Sequence, residues 1–458
     1  MVHTASHSKK PPGQAWRSSK LFIVIVISIA MFTDYFLFSF IIPILPDILE
    51  DRLRIPPSHT QLVTSIVLSI NAIVSIAIAP LIGYVSDRVR WKTSLMLVAY
   101  LVDMAGTAIT AWSNTLGGLI IGRLIQTIAG SIPPDHLARA MGICVLFVSA
   151  GLLSAPVISG ALFNSVSYTM TWLSAFLVLL LGTAMQSFML EPCNLPVETK
   201  QNSPAYFSAT ADNSQVNGEP TETESLLPPR PETGIPEPYS YHSASTRSEQ
   251  SPRASASSSR IYWMMLCKRR LTTALIAETL LAILISSFEA TIPLHIKNVF
   301  HWESLQEGIL FLLLQAPTLI LVFPAGWLKD TLGMRLPVTI WFLLMAPALW
   351  VLGVPGNKNF EWADNRTGQI IYIVTLVMVG ICRTLVLGFG GVEVLRGASE
   401  IASEVPGIFG ASTGHSRAFV LSNITWKFGM FVGPLASGLL TESIGYYWMN
   451  VTLGEFSD

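Results

Sequence analysis

The chain reads as an all-α integral membrane protein made of two pseudo-symmetric helical bundles, a prediction that rests on three observations. Its 458 residues are 51% hydrophobic and only 12% charged, with a mean hydropathy of +0.52. A soluble domain cannot hide that much apolar surface, whereas a bilayer accepts it. The apolar residues are gathered into eleven runs of roughly spanning length. Finally, a ten-residue loop, GYVSDRVRWK at 83–92, returns as GWLKDTLGMR at 326–335, after the second run of each half. A loop repeated in the same relative place marks an internal duplication.

Residues 1–20 are polar and basic, with Lys9, Lys10, Arg17 and Lys20, and form a cytosolic tail. The apolar run 21–45 follows, its only charge Asp34. It is longer than the core of a cleavable signal peptide and lacks a small-residue cleavage site, so it is a retained first span. Runs at 61–85, 94–112, 115–132, 143–163 and 169–190 complete a first bundle over 21–190. Runs at 271–295, 308–328, 337–352, 369–390 and 418–440 make a second over 261–458.

Charge bias orients the spans. The N-terminus and the loops 87–92, 135–139 and 329–335 carry most of the Lys and Arg and face the cytosol. Asn365, in Asn365-Arg366-Thr367, then lies on the other side and is a candidate glycan acceptor; the sequons at Asn423 and Asn450 are poorer, one inside a span and one near the chain end.

Between the bundles, 191–260 is rich in Ser, Thr, Pro and Glu and cannot bury a core, which predicts a disordered cytosolic linker. Within it Glu222-Thr-Glu-Ser-Leu226-Leu227 has the form of an acidic dileucine signal for vacuole or vesicles. The Lys268-Arg269-Arg270 cluster closes the linker at the membrane surface, where anionic lipid would hold it.

Composition excludes other classes. A net charge of −1 gives no reason to expect nucleic acid. Cys144, Cys193, Cys267 and Cys382 lie in apolar runs or cytosolic loops, which argues against a disulfide framework. The eight His are scattered without ligand spacing, so neither a metal site nor a membrane enzyme is indicated.

In the two loops Gly83 matches Gly326, Asp87 matches Asp330 and Lys92 matches Arg335, while Arg88 and Arg90 add charge to the first copy. A small Gly lets two helix ends approach, and an Asp accepts from a helix N-terminus or an Arg. These are the parts of a latch between helices.

GYVSDRVRWK resembles the loop motif of the major facilitator superfamily. Gly151-Leu-Leu-Ser-Ala155-Pro156-Val-Ile-Ser-Gly160 is similar to the fifth-helix motif of its proton-coupled antiporters, with Ala155 where Gly is usual; Gly429-Met-Phe-Val-Gly433-Pro434-Leu-Ala-Ser-Gly438 repeats it in the eleventh span. Asp34 ahead of Pro43 and Pro46, and Gly122-Arg123-x2-Gln126, also fit. The resemblance covers almost the whole chain and is closest to fungal drug:proton antiporters akin to vesicular amine transporters. It implies a monomer whose two bundles rock about a central cavity, exchanging a small-molecule substrate for protons, with no cofactor but the proton gradient. It further implies efflux of a lipophilic or amphipathic drug or secondary metabolite across the plasma membrane, or a vacuolar or vesicle membrane. Proton-coupled uptake, or a membrane protein that no longer transports, stand as alternatives.

Ionisable residues inside spans are costly in hydrocarbon and mark cavities or partners. Seven qualify: Asp34, Asp103, Arg123, Glu278, Glu289, Arg383 and Lys427. Asp34, midway along the first span, is the first candidate for proton exchange. By resemblance Glu289 is a second, and Arg123 couples protonation to substrate, with Arg383 its repeat mate. The alternative is that each arginine only neutralises a buried acid. The family's eleventh-helix acid is replaced by Asn423, with Lys427 one turn on, which weakens the expectation of a cationic amine. Tyr35, Phe36, Asn71 and Trp426 are candidate cavity-lining residues.

The repeat also measures itself. Arg383 and Pro434 are 51 residues apart but Arg123 and Pro156 only 33, and Pro133-Pro134 cannot continue a helix. The fourth span is expected to be short by about 18 residues, and the chain to stop where a twelfth span would begin, leaving five helices in the second bundle. A mis-spliced or decayed gene would read this way.

Overall fold

The computed structural model describes residues 17, 19–88, 92–131, 137–189, 258–333, 335–357, 360, 363, 365–386, 388–405, 408, 409 and 414–455. The linker 191–257, including Glu222–Leu227 of the dileucine motif, lies outside them. Among the described residues nine helices are long and apolar enough to cross a membrane.

Helix α1, Lys20–Phe40, starts at Ser19, whose hydroxyl accepts the Phe22 amide at 3.2 Å. Pro43 and Pro46 have no N–H to give, so the α-helix ends and the chain continues through a 3-10 turn (Ile42–Ile44), a helical turn (Leu45–Asp47) and a π turn (Ile48–Arg52). Then come α2, Pro57–Arg88; α3, Lys92–Trp112; α4, Leu116–Gly130; α5, Leu137–Ser165; and α6, Tyr168–Phe188.

Beyond the linker lie α7, Ser258–Cys267; α8, Arg269–Phe300; and α9, Ser304–Leu332, opened by a capping box between Glu303 and Gln306. Next are α10, Arg335–Gly353; α11, Arg366–Val386; α12, Phe389–Glu404, entered through left-handed Gly388; and α13, His415–Glu455. Gly445, at φ 88°, breaks α13, and the helical stretch after it packs on α10, where Tyr447 and Asn450 close over Gly353. Several helices outrun their apolar cores: the run 143–163 sits inside Leu137–Ser165, and 418–440 inside His415–Glu455. Polar residues continue each helix past its apolar run.

The two halves are built alike. In the first, α1 packs on α5 and α3 on α4; in the second, α8 packs on α13 and α10 on α11. Two crossings join the halves, α5 on α9 and α2 on α13. The fourth helix is the short one, with 15 residues against 21 in its mate α11. In the second half Gly388 turns the chain into α12, which continues beside α8; the first half has only six residues, 131–136, between α4 and α5. The shortfall in the repeat therefore falls where α12 stands.

The basic cluster at 268–270 differs from its sequence reading. Lys268 pairs with Glu404, and Arg270 pairs with Glu400 and, at 2.7 Å, with Glu393. Ile261, Met265 and Leu271 bury against Val394, Ala398 and Ile401 beneath those pairs. Two of the three cations are thus held by α12 rather than left free for lipid. The acids lie more than 120 residues away in sequence, beyond the reach of a local reading.

Candidate functional site

Charge from α1, α3 and α13 gathers near the middle of the spans. Asp34 on α1 is half-buried, and the charges that act on it are those of Asp103 on α3 and Lys427 on α13. Its carboxyl also borders the end of α4, where a Cβ on Gly130 would lie 3.8 Å from Oδ1. Asp34 and Lys427 come from different halves, so a charge change at either is felt between the bundles.

Each half also buries an acid and an arginine that act on one another. In the first, Asp103 and Arg123 are 5% and 4% exposed; in the second, Glu289 and Arg383 are 6% and 8% exposed. Arg123 Nη1 donates to Gln126 Oε1 at 3.0 Å and to the Leu37 carbonyl at 3.4 Å, while Gln126 Nε2 donates to Thr107 Oγ1 at 2.7 Å. Arg383 Nη1 donates to Gln315 Oε1 at 2.6 Å. Both Nε atoms are buried and donate to no group among the described residues. A buried guanidinium with donors to spare can take a further acceptor without moving far.

Glu278 stands apart from these pairs. Both its carboxylate oxygens accept from the Ser422 hydroxyl at 2.8 Å, beside Gly390 and Trp426 in a small pocket. Of the expected lining residues, Asn71 is buried and its Oδ1 accepts from Thr127 at 3.1 Å, whereas Phe36 is buried between Phe32 and Phe40 in the helix core. Tyr35 is 38% exposed.

The fifth- and eleventh-helix motifs work as close-approach surfaces. A Cβ at Gly151 would sit 2.7 Å from the Phe32 carbonyl oxygen, so α1 and α5 touch backbone to backbone. Gly160 presses on the backbone of Ser304, and Gly308 on that of Pro156, which makes the α5–α9 crossing. In the second half Gly429 would meet Ala282 Cβ and the Thr279 carbonyl at 2.6 Å, Gly433 lies against Ser286, and Pro434 stands inside α13. Of the repeated loops, Arg90 lies outside the described residues, as do the side chains of Asp87, Arg88, Lys92, Asp330 and Arg335 and the surroundings of Gly83. Asn365 is exposed immediately before α11.

One site was missed in the sequence. At the end of the bundles opposite the repeated loops, here the outer end, Lys297 Nζ donates to Asp47 Oδ1 at 2.6 Å and to Glu50 Oε2 at 2.7 Å. Ser304 Oγ donates to the other oxygen of Asp47. Gln61 Nε2 donates to the Ala290 carbonyl at 3.0 Å, and the Leu62 amide to Glu442 at 3.1 Å. The outer end is held shut by these contacts between the halves. A signal existed: Asp47 and Lys297 each lie four residues beyond an Ile-Pro pair, Ile42-Pro43 and Ile292-Pro293.

Comparison with known proteins agrees with this architecture. The profile of the Major Facilitator Superfamily matches residues 27–414. An uncharacterized MFS-type transporter of Schizosaccharomyces pombe is 27% identical, over 94% of this chain and 92% of that protein. The vesicular acetylcholine transporter of Drosophila melanogaster is 26% identical over 37% of this chain and 36% of its own. Among solved structures the nucleoside transporter NupG superposes with a TM-score of 0.62 at 11% identity, covering 95% of this chain and 96% of that one.

Proposed function

The chain belongs to the Major Facilitator Superfamily and is a multi-pass membrane secondary transporter, and from that premise we propose that it exports a lipophilic or amphipathic small molecule in exchange for protons. The observation that carries this reading is the gathering of charge inside the spans: Asp34 acted on by Asp103 and by Lys427 of the other half, with the buried pair Asp103–Arg123 in the first half and Glu289–Arg383 in the second. Carboxyl groups buried beside cations are the parts from which membrane proton relays are made.

In this reading Asp34 and Glu289 bind the exchanged proton, and Arg123 and Arg383 answer each change of charge. The Gly151/Pro156/Gly160 and Gly429/Gly433/Pro434 surfaces carry the bundle movement, with the loops at 83–92 and 326–335 latching the cytosolic side. The driving force is the proton gradient, with no bound cofactor, and the working unit is a monomer. The substrate leaves across the plasma membrane or, if Glu222–Leu227 directs the chain inward, enters a vacuole or vesicle. Asn365 is the proposed glycan acceptor; an Asn365→Gln chain that keeps a glycosidase-sensitive mass shift would refute this.

Transport itself is tested in inside-out vesicles with an imposed pH gradient and a panel of amphipathic compounds. Uptake against proton exit supports exchange. Uptake that runs with the protons indicates a symporter, and no response to the gradient sinks both coupled readings.

A further inference from the structure

The outer latch carries more acid than its one cation can neutralise. Asp47 and Glu50 come from the turn after α1, Lys297 from the end of α8, and Glu307 from the first turn of α9. Glu307 is 1% exposed, and its Oε2 accepts no hydrogen bond among the described residues. The charges that act on it are Asp47 and Lys297, and Glu50 reaches it through Lys297. Asp47 is already committed, one oxygen to Lys297 and the other to Ser304.

Three carboxylates sharing one ammonium would leave two uncompensated negative charges, and Glu307, the carboxylate with no bond to that ammonium, is the one that water barely reaches. Such a cluster is unstable while fully ionised. An ionised Glu307 would repel Asp47 across the boundary between the halves and compete with it for Lys297. A protonated Glu307 does neither, and the clamp on Asp47 stands.

We propose that Glu307 is a proton-binding site that sets the outer latch: with a proton bound the halves stay closed at the outer end, and with the proton released Glu307 and Asp47 part them. This rests on the proton-coupled reading and deepens it. A proton taken from the outer side would close the outer end behind the departing substrate and return the carrier to the cytosolic side. Glu307 lies near the opposite end of the helices from the repeated loops, so it would add a second proton-responsive point to the one at Asp34.

The test reads the latch and not transport. Spin labels are placed at Ser58→Cys on α2 and Ser443→Cys on α13, both exposed and on opposite halves. The full chain is used in lipid nanodiscs, with Cys144, Cys193, Cys267 and Cys382 replaced by Ser. Distances are measured between about pH 5 and about pH 9, a window that brackets the titration of buried carboxyls. The expected result is a short distance at acid pH that gives way to a longer population as pH rises. Glu307→Gln, a fixed mimic of the protonated form, is expected to stay short throughout.

If the parent shows the same distances at both ends of the window, or Glu307→Gln opens with pH as the parent does, the proposal is overturned. Should Glu307→Gln fail to give monodisperse protein, Glu307→Ala makes the same comparison, since it too lacks the carboxyl. A chain that opens with pH yet moves no compound would sustain the latch and sink the transport reading, so the two failures are distinct.

Discussion

Asp47 and Lys297 occupy the same place in the two halves of the chain, and they are bonded to one another at 2.6 Å. Duplication alone would have put like residues at equivalent positions. Here one copy carries an acid and the other a base, so the contact between the halves is attractive. Lys297→Met removes the only cation named in this latch and leaves Asp47 and Glu50 facing each other. Breaking a fully buried pair costs ~3–5 kcal/mol; with the Lys297 side chain 27% exposed, about 2 kcal/mol is expected. Thermal denaturation in detergent should show it, and adding Asp47→Asn should recover part of the loss. A single variant as stable as the parent would remove the latch from the account.

Gly160 lies so close to the backbone of Ser304 that any side chain must push α5 and α9 apart. Gly160→Val is expected to cost about 1–3 kcal/mol, the usual range for overpacking, and to abolish transport even where the protein still folds. Gly117→Ala is the control, since nothing lies within 4 Å of its added Cβ. Equal effects at the two positions would mean that helix propensity, not the crossing, decides.

The two buried arginines should behave as halves of pairs. Arg123→Gln strands Asp103, which is 5% exposed, and is expected to destabilise more than Arg123→Gln combined with Asp103→Asn. The same order is expected for Arg383→Gln with and without Glu289→Gln. Additive losses in the double variants would show that these acids and arginines do not interact.

Asp34 separates coupling from binding. Asp34→Asn keeps the shape of the side chain but cannot exchange a proton. Transport driven by a pH gradient should be lost while substrate-for-substrate exchange survives. A variant still driven by the gradient would move the proton site elsewhere.

The all-helical membrane fold and the buried arginines were legible because each is written locally or in register: apolar runs, and Arg followed by Gly seven residues later; the eleven expected runs compare with nine helices long and apolar enough to cross a membrane among the described residues. The short fourth helix was legible too, since two copies of one half can be measured against each other. The outer latch was not, because Asp47 and Glu50 fall in turns that read as the ragged end of a span, and their partner lies some 250 residues away. Helix α12 escaped for a related reason. Glu393, Arg396, Glu400 and Glu404 give it too much charge to stand out as an apolar run, and Arg270 and Lys268, which pair with three of those acids, lie far away in sequence.

In the proposed rocking of the bundles, the crossing at Gly308 and Pro156 would give the molecule a mechanical advantage. It lies near the outer end of α9, which runs on for 24 residues to Leu332, an arm of ~36 Å at ~1.5 Å per residue. Taking that contact as a fulcrum, a tilt of about 10° sweeps the far tip through ~6 Å on that arm length, while atoms at the fulcrum slide by fractions of an ångström. Tight glycine packing at one end and wide travel at the other are then the same design, a lever pinned close to its short end.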